Sequence, residues 1–382
     1  QCRDSAGSLF GRRYHVMFAL PASLGFVGPK SIYDLYAWGL RGAGVQGDNV
    51  TSPSTTSPVL KVSDLDFTHI DCYQSSAYVD SNHNGFVTGL NTSGQLGLSD
   101  TTAHNAWVQL SGSNWQKILF GPSFGIALKT DGSVWHAGSK SGSKDGNGGT
   151  TGNNTAWTQI GSSTDNVDIA VGSAHVVLLK SNGDIATFGL NTNGQCCLGH
   201  TTSPVTSPTT VSGVNAGFIE ACSTATFVIK STDSKLYTAG NANQNGHGSS
   251  KTSLTILNSD LYLKVITSSS SSSTGIFAIR TSNVVDCWGS NGQSQLGDGT
   301  TTLRSTPITF NSGNLYTDIA TGIIGSGATV GIRTDGTMWG CGNYQGNGLG
   351  QASGNQSTPA QIGSYSDWAG VSGRGLTFFA WK

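Results

Sequence analysis

Asn166-Val-Asp-Ile-Ala-Val-Gly-Ser-Ala-His175-Val-Val-Leu-Leu-Lys180-Ser-Asn-Gly-Asp-Ile-Ala-Thr-Phe-Gly189-Leu-Asn-Thr-Asn-Gly-Gln195-Cys-Cys-Leu-Gly199 holds one full period of the chain. Two strand-like apolar runs flank Ser-Asn-Gly, and the second run ends in a glycine followed by polar, turn-forming residues. The same ending recurs at Gly39, Gly89, Gly138, Gly240, Gly289 and Gly342, spaced 49 to 53 residues apart. A period near fifty built of short strands predicts the blades of a propeller. Asn-Gly at 84–85 and 182–183 and Asp-Gly at 131–132 and 335–336 supply the positive-φ residues that two-residue hairpins prefer, so each blade is expected to have a hairpin at its centre.

Six blades have an incoming strand before their marking glycine, but the first, Leu35-Tyr36-Ala37-Trp38-Gly39, has none. The missing strand is expected from the other end, in Trp368–Gly373 and onward to Trp381-Lys382, pairing with the N-terminal strand to complete blade one. Such a seam hides both edge strands of an open ring. The expectation is an all-β, seven-bladed propeller of four-stranded blades over residues 33–382, with residues 1–32 as an N-terminal arm.

Charged residues make up 11% of the 382, against about 25% in an ordinary domain. A formal net charge of −1 with no Lys/Arg cluster argues against a phosphate-driven grip on nucleic acid. No apolar run reaches the length of a membrane span. The seven cysteines have no zinc-like or redox-like spacing and read as small buried thiols.

The repeat resembles that of the regulator of chromosome condensation family. The resemblance is carried by Trp288-Gly-Ser-Asn-Gly292, Gln295-Leu-Gly-Asp-Gly-Thr-Thr301 and Ser305-Thr-Pro307, with degenerate copies over roughly residues 33–382. It implies four-stranded blades in a ring of seven. It also implies a binding platform, since the family includes nucleotide-exchange factors for small GTPases, chromatin-binding proteins, a photoreceptor and secreted enzyme inhibitors. The family histidine stands only at His175, with Ser75, Phe124, Ala225, Gly275, Ala328 and Thr377 at the other copies. Blade three replaces the Gly-Gln-Leu-Gly turn with Lys140-Ser-Gly-Ser-Lys144-Asp145-Gly146. Trp107 and Trp157 stand where four other blades carry Pro58, Pro208, Pro307 and Pro359.

Asp80-Ser-Asn-His-Asn-Gly85 has the first half of a calcium loop, but Asn91 holds the place of the bidentate glutamate, so the segment reads as a hairpin turn. Candidate nucleophiles and bases are scattered singly over the blades, which predicts neither catalysis nor a cofactor. Trp107 and Trp157 could stack on a glycan or anchor a protein, the alternative being packing between blades. Lys140, Lys144 and Asp145 are candidate contacts on a divergent loop, and Arg12, Arg13, Tyr14 and Phe18 are candidate docking residues of the arm. The neutral Ser/Thr/Asn/Gly-rich surface points to a non-enzymatic structural or adhesion propeller on an extracellular or virion surface, with other proteins of that assembly or a glycan as partners. The alternative expectation is a soluble protein-binding regulator, exchange-factor-like or an inhibitor of a secreted enzyme.

Overall fold

A computed structural model of the chain describes residues 32–39, 41–52, 54–267, 275–322, 327–343, 349, 355–375 and 377–382. The arm residues Arg12, Arg13, Tyr14 and Phe18 lie outside them. The described strands form five four-stranded antiparallel sheets and one seven-stranded sheet. The larger sheet is two blades joined by the strand Lys251–Ile266, whose first part pairs with Lys235–Gly240 and whose last part pairs with Gly275–Arg280. Seven blades result. Their innermost strands touch one another in a closed cycle around the axis.

Closure happens as the count of half-hairpins requires. The C-terminal strands Gly370–Ser372 and Thr377–Trp381 are the inner pair of blade one, and Ile32–Gly39 and Thr55–Asp66 are its outer pair. Leu35 pairs with Trp381 and Gly39 with Thr377. The first and last described strands are thereby held in one sheet, leaving no open inner edge.

The register explains the marking glycines. Each lies opposite the first residue of the second strand: Gly39 opposite Thr377, Gly89 opposite Ser75, Gly138 opposite Phe124, Gly189 opposite His175, Gly240 opposite Ala225, Gly289 opposite Gly275 and Gly342 opposite Ala328. These are the positions aligned with the family histidine. All seven glycines have φ between 94° and 116°. A Cβ on Gly240 would stand 2.2 Å from the Thr224 carbonyl oxygen, so the position excludes any other residue.

The hairpins differ in detail from the two-residue turns the sequence suggested. Gly132 N donates to Lys129 O and Lys129 N donates to Ser133 O, with Gly132 at φ 80°. This is a four-residue turn followed by a glycine bulge, the three-residue hairpin loop. In blade two the positive φ falls on His83, not on Gly85, and Asp80 accepts from the backbone N–H groups of Asn82 and Asn84. The Asp80 segment is therefore a side-chain-capped turn.

Apolar side chains gather into seven clusters, each shared by two neighbouring blades. The core is thus a set of seams, and the chemistry of each seam is set by residues recurring at one register position.

Candidate functional site

One face of the ring carries the loops that follow the marking glycines, and these loops are built to be rigid. In blades two, four and six the buried amides of Asn91, Asn191 and Asn291 accept from the backbone N–H of Leu96, Cys196 and Leu296 at 2.9 Å. Gln95, Gln195 and Gln295 fold back to accept from the N–H two residues earlier, also at 2.9 Å. Each loop then latches onto the next blade. Thr226 and Thr329 hydroxyls donate to Gln195 O and Gln295 O across the seams at 2.6 and 2.8 Å, and the blade-two loop is held by Ser99 N–H donating to Thr155 O of blade three at 2.9 Å. A loop held at both ends loses little freedom when a partner docks, which favours tight binding.

The divergent blade-three loop follows the same logic with different residues. Lys144 is buried, its ammonium 5.0 Å from the Phe124 ring centroid and 3.3 Å from Ser123 Oγ, and burial lowers its pKa. Asp145 is buried and accepts from the Gly149 N–H at 3.1 Å. These two residues shape the loop, while Lys140 is half-exposed on it.

Trp107 and Trp157 are half-buried in seams. Trp107 meets Tyr78 edge-on at 4.9 Å, and Trp157 lies 5.5 Å from Trp115. A Cβ on Gly47 or Gly97 would come within 2.3 or 2.2 Å of the respective indole nitrogen. The rings belong to separate seams and are engaged in packing between blades.

Charge is scarce in the sequence, and three of its ion pairs link blades around the axis. Lys117 pairs with Asp168 at 2.7 Å between blades three and four, and Lys264 pairs with Asp318 at 2.6 Å between blades six and seven. Arg374 comes from the turn of blade one and reaches across to Val171 O, Ala221 O and Glu220, at 3.0, 3.1 and 3.0 Å. Burial works against its charge, but Glu220 and Asp71 outweigh that and hold the guanidinium protonated. Burial lifts the Glu220 carboxyl above its usual range despite Arg374. A cavity of about 230 Å³ lies beside this pair, lined also by Phe218, Lys264 and Asp318. Lys117, Asp168, Lys264 and Asp318 each follow a register shift at the same step of their inner strand, in Gln-Lys117-Ile, Val-Asp168-Ile, Leu-Lys264-Val and Thr-Asp318-Ile, a placement invisible until the strands are registered.

His175 is buried and structural. Thr226 spends its hydroxyl hydrogen on Gln195 O, so its oxygen accepts from His175 Nε2 at 3.0 Å. Nδ1 carries no partner, and burial pushes the imidazole pKa down to about 3. The ring is neutral. Among the described residues no group of three or more His, Cys, Asp or Glu side chains could hold a metal, and no helix is long and apolar enough to cross a membrane.

The Regulator of chromosome condensation (RCC1) repeat matches residues 167–195, in blade four, and the ring as a whole has the RCC1-like propeller fold. The human protein WBSCR16 superposes with a TM-score of 0.76 at 16% identity over 92% of this chain and 99% of its own. Prp20p from Saccharomyces cerevisiae, described with its binding to Gsp1p and histones, gives 0.77 at 14% identity over 92% and 91%. The same yeast protein bound to Kap60 gives 0.76 at 14% identity over 100% and 94%.

These matches overturn the expectation of a structural or adhesion subunit on a virion or extracellular surface. Yeast RCC1 (Prp20), which shares the whole ring, is described with Gsp1p, histones and Kap60, and these partners point away from such a location. The physical reason for the error is averaging. A low mean charge describes the surface only on average, whereas individual charges are paired at defined positions, some of them between blades around the axis.

Proposed function

We propose that the chain is a protein-binding regulator of the exchange-factor type, engaging a small GTPase through its loop face. The observation that supports this reading is the ring-wide match to Prp20p, a protein that binds Gsp1p. A platform of this kind needs no catalytic side chain. If it binds the nucleotide-free GTPase more tightly than the nucleotide-bound form, it lowers the GTPase's affinity for nucleotide by the same factor. The preformed loops of blades two, four and six suit that role, because a rigid surface can select one conformer of a mobile partner. On the blade-three loop, Lys140 supplies an accessible charge, and Lys144 and Asp145 hold the backbone that presents it.

The test is release of a fluorescent GDP analogue from a panel of loaded small GTPases. At least one member should release nucleotide roughly 100-fold faster with the full chain, corresponding to about 2.7 kcal/mol off the release barrier. Lys140→Glu should weaken that effect without lowering thermal stability. No acceleration for any member would refute the exchange reading.

A further inference from the structure

The seam between blades four and five differs from the seam between blades two and three, and the difference defines a groove. In the two–three seam, Trp115 stands opposite Lys129, and Trp157 lies three residues beyond Asn154, the partner of marking glycine Gly138. The corresponding residues in the four–five seam are Ala216, opposite Lys230, and Leu254, three beyond Lys251, the partner of Gly240. Two indoles are replaced by a methyl and an isobutyl group. Gly97, which touches Trp157, is matched by Cys197, a non-glycine at φ 63°. An open cavity of about 430 Å³ results, lined by Cys197, Val211, Val214, Leu254, Tyr237 and Lys230 among others.

The rim of this groove has a cation without an anion. In blade four the equivalent Lys180 is neutralised by Asp165 at 2.7 Å, and Asp165 O accepts from the Ser181 N–H. In blade five Ser231 N donates in the same way to Asn215 O, so an asparagine holds the place of the aspartate. The Lys230 ammonium lies 4.2 Å over the Tyr237 ring, and no carboxylate among the described residues pairs with it. The nearby acids are engaged elsewhere. Asp233 accepts from the Tyr237 hydroxyl and the Lys235 N–H, and Asp184 accepts from the Gly213 N–H.

The geometry points to the four–five groove as a docking site for a partner protein's segment carrying an aromatic residue beside an acidic one. The aromatic ring takes the space that Trp115 and Trp157 fill in the sister seam, and the carboxylate takes the position on Lys230 that Asp165 takes on Lys180. Both halves of the ligand are thus templated by other blades of the same chain. The site lies on the rim, apart from the axial cavity, and stands independently of the exchange reading.

The probe is a fluorescein-labelled peptide with a central Glu-Trp-Glu, titrated by anisotropy with the full chain, beside Glu-Ser-Glu and Lys-Trp-Lys controls. Saturable binding of the first is expected, with each control at least about 10-fold weaker. The double variant Cys197→Gly/Leu254→Trp, which restores the two–three pairing, should abolish binding. Lys230→Met, on the rim, should bind the Glu-Trp-Glu and Lys-Trp-Lys peptides alike and decides the matter if the double variant fails to fold. No saturation below about 1 mM, or equal binding of all three peptides by the unaltered protein, would overturn the proposal.

Discussion

The two–three and four–five seams share a backbone and differ in how they are filled. In the first, a glycine leaves room for an indole, with Gly97 against Trp157. In the second, a cysteine at positive φ faces a leucine, Cys197 against Leu254. A glycine on one side admits an indole on the other, and a cysteine goes with a leucine, so the two members change together, while Ala216 in place of Trp115 leaves the four–five seam open. Seven copies of one repeat in a single chain thus act as an internal mutational series.

The sharpest way to break that comparison is to put the same side chain at both equivalent positions. Gly97→Ala forces a Cβ to within 2.2 Å of the Trp157 indole at φ 70°, and should cost at least about 3 kcal/mol in urea melts. Cys197→Ala, which keeps a Cβ in an occupied left-handed position, should change stability by less than about 1 kcal/mol. Equal effects would mean that the seams are not equivalent in register.

Next in size is Arg374→Met, which leaves Glu220 buried without its partner and should cost about 3 kcal/mol, while Arg374→Met/Glu220→Leu should recover most of it. This axial brace joins blade one to blades four and five. Trp157→Leu converts the two–three seam toward the four–five form and should cost roughly 2 to 3 kcal/mol, with part of the loss returned by adding Gly97→Cys. Simple additivity of the two changes would contradict the coupling of the two positions.

A separate effect comes from pH. His136 and His175 are buried, and burial depresses their pKa values to about 4 and about 3. Depressed values mean that the unfolded chain takes up protons first. Their contribution is therefore complete above the unfolded pKa near 6.5 and is lost as pH falls toward 4 and below, by roughly 3 kcal/mol or more for the two together. Urea melts from pH 7.5 to 4 should show this fall, and His175→Gln should flatten it.

Much of this fold was legible in the sequence because it is imposed by local sterics. The marking glycines can be counted because their φ of 94° to 116° and the nearby carbonyl exclude any side chain. Closure could be deduced because blade one lacked half a hairpin that the C-terminus possessed. The reading of Trp107 and Trp157 had packing as its alternative, and their environment is that of packing. The axial charges were missed for a physical reason. Lys117 and Asp168, like Lys264 and Asp318, alternate in sign from blade to blade, so they cancel in any average and become neighbours only after the ring closes. The same cancellation misdirected the functional reading, since low net charge says little about where charges are placed.

The platform account is tested most directly by the affinity of the full chain for a panel of small GTPases, each measured nucleotide-free and GDP-bound by light scattering and calorimetry. The account predicts a one-to-one complex with at least one nucleotide-free GTPase, bound about 100-fold or more tightly than its GDP form and dissolved by added GDP. Equal affinity for both forms, or no complex with any member, would contradict it.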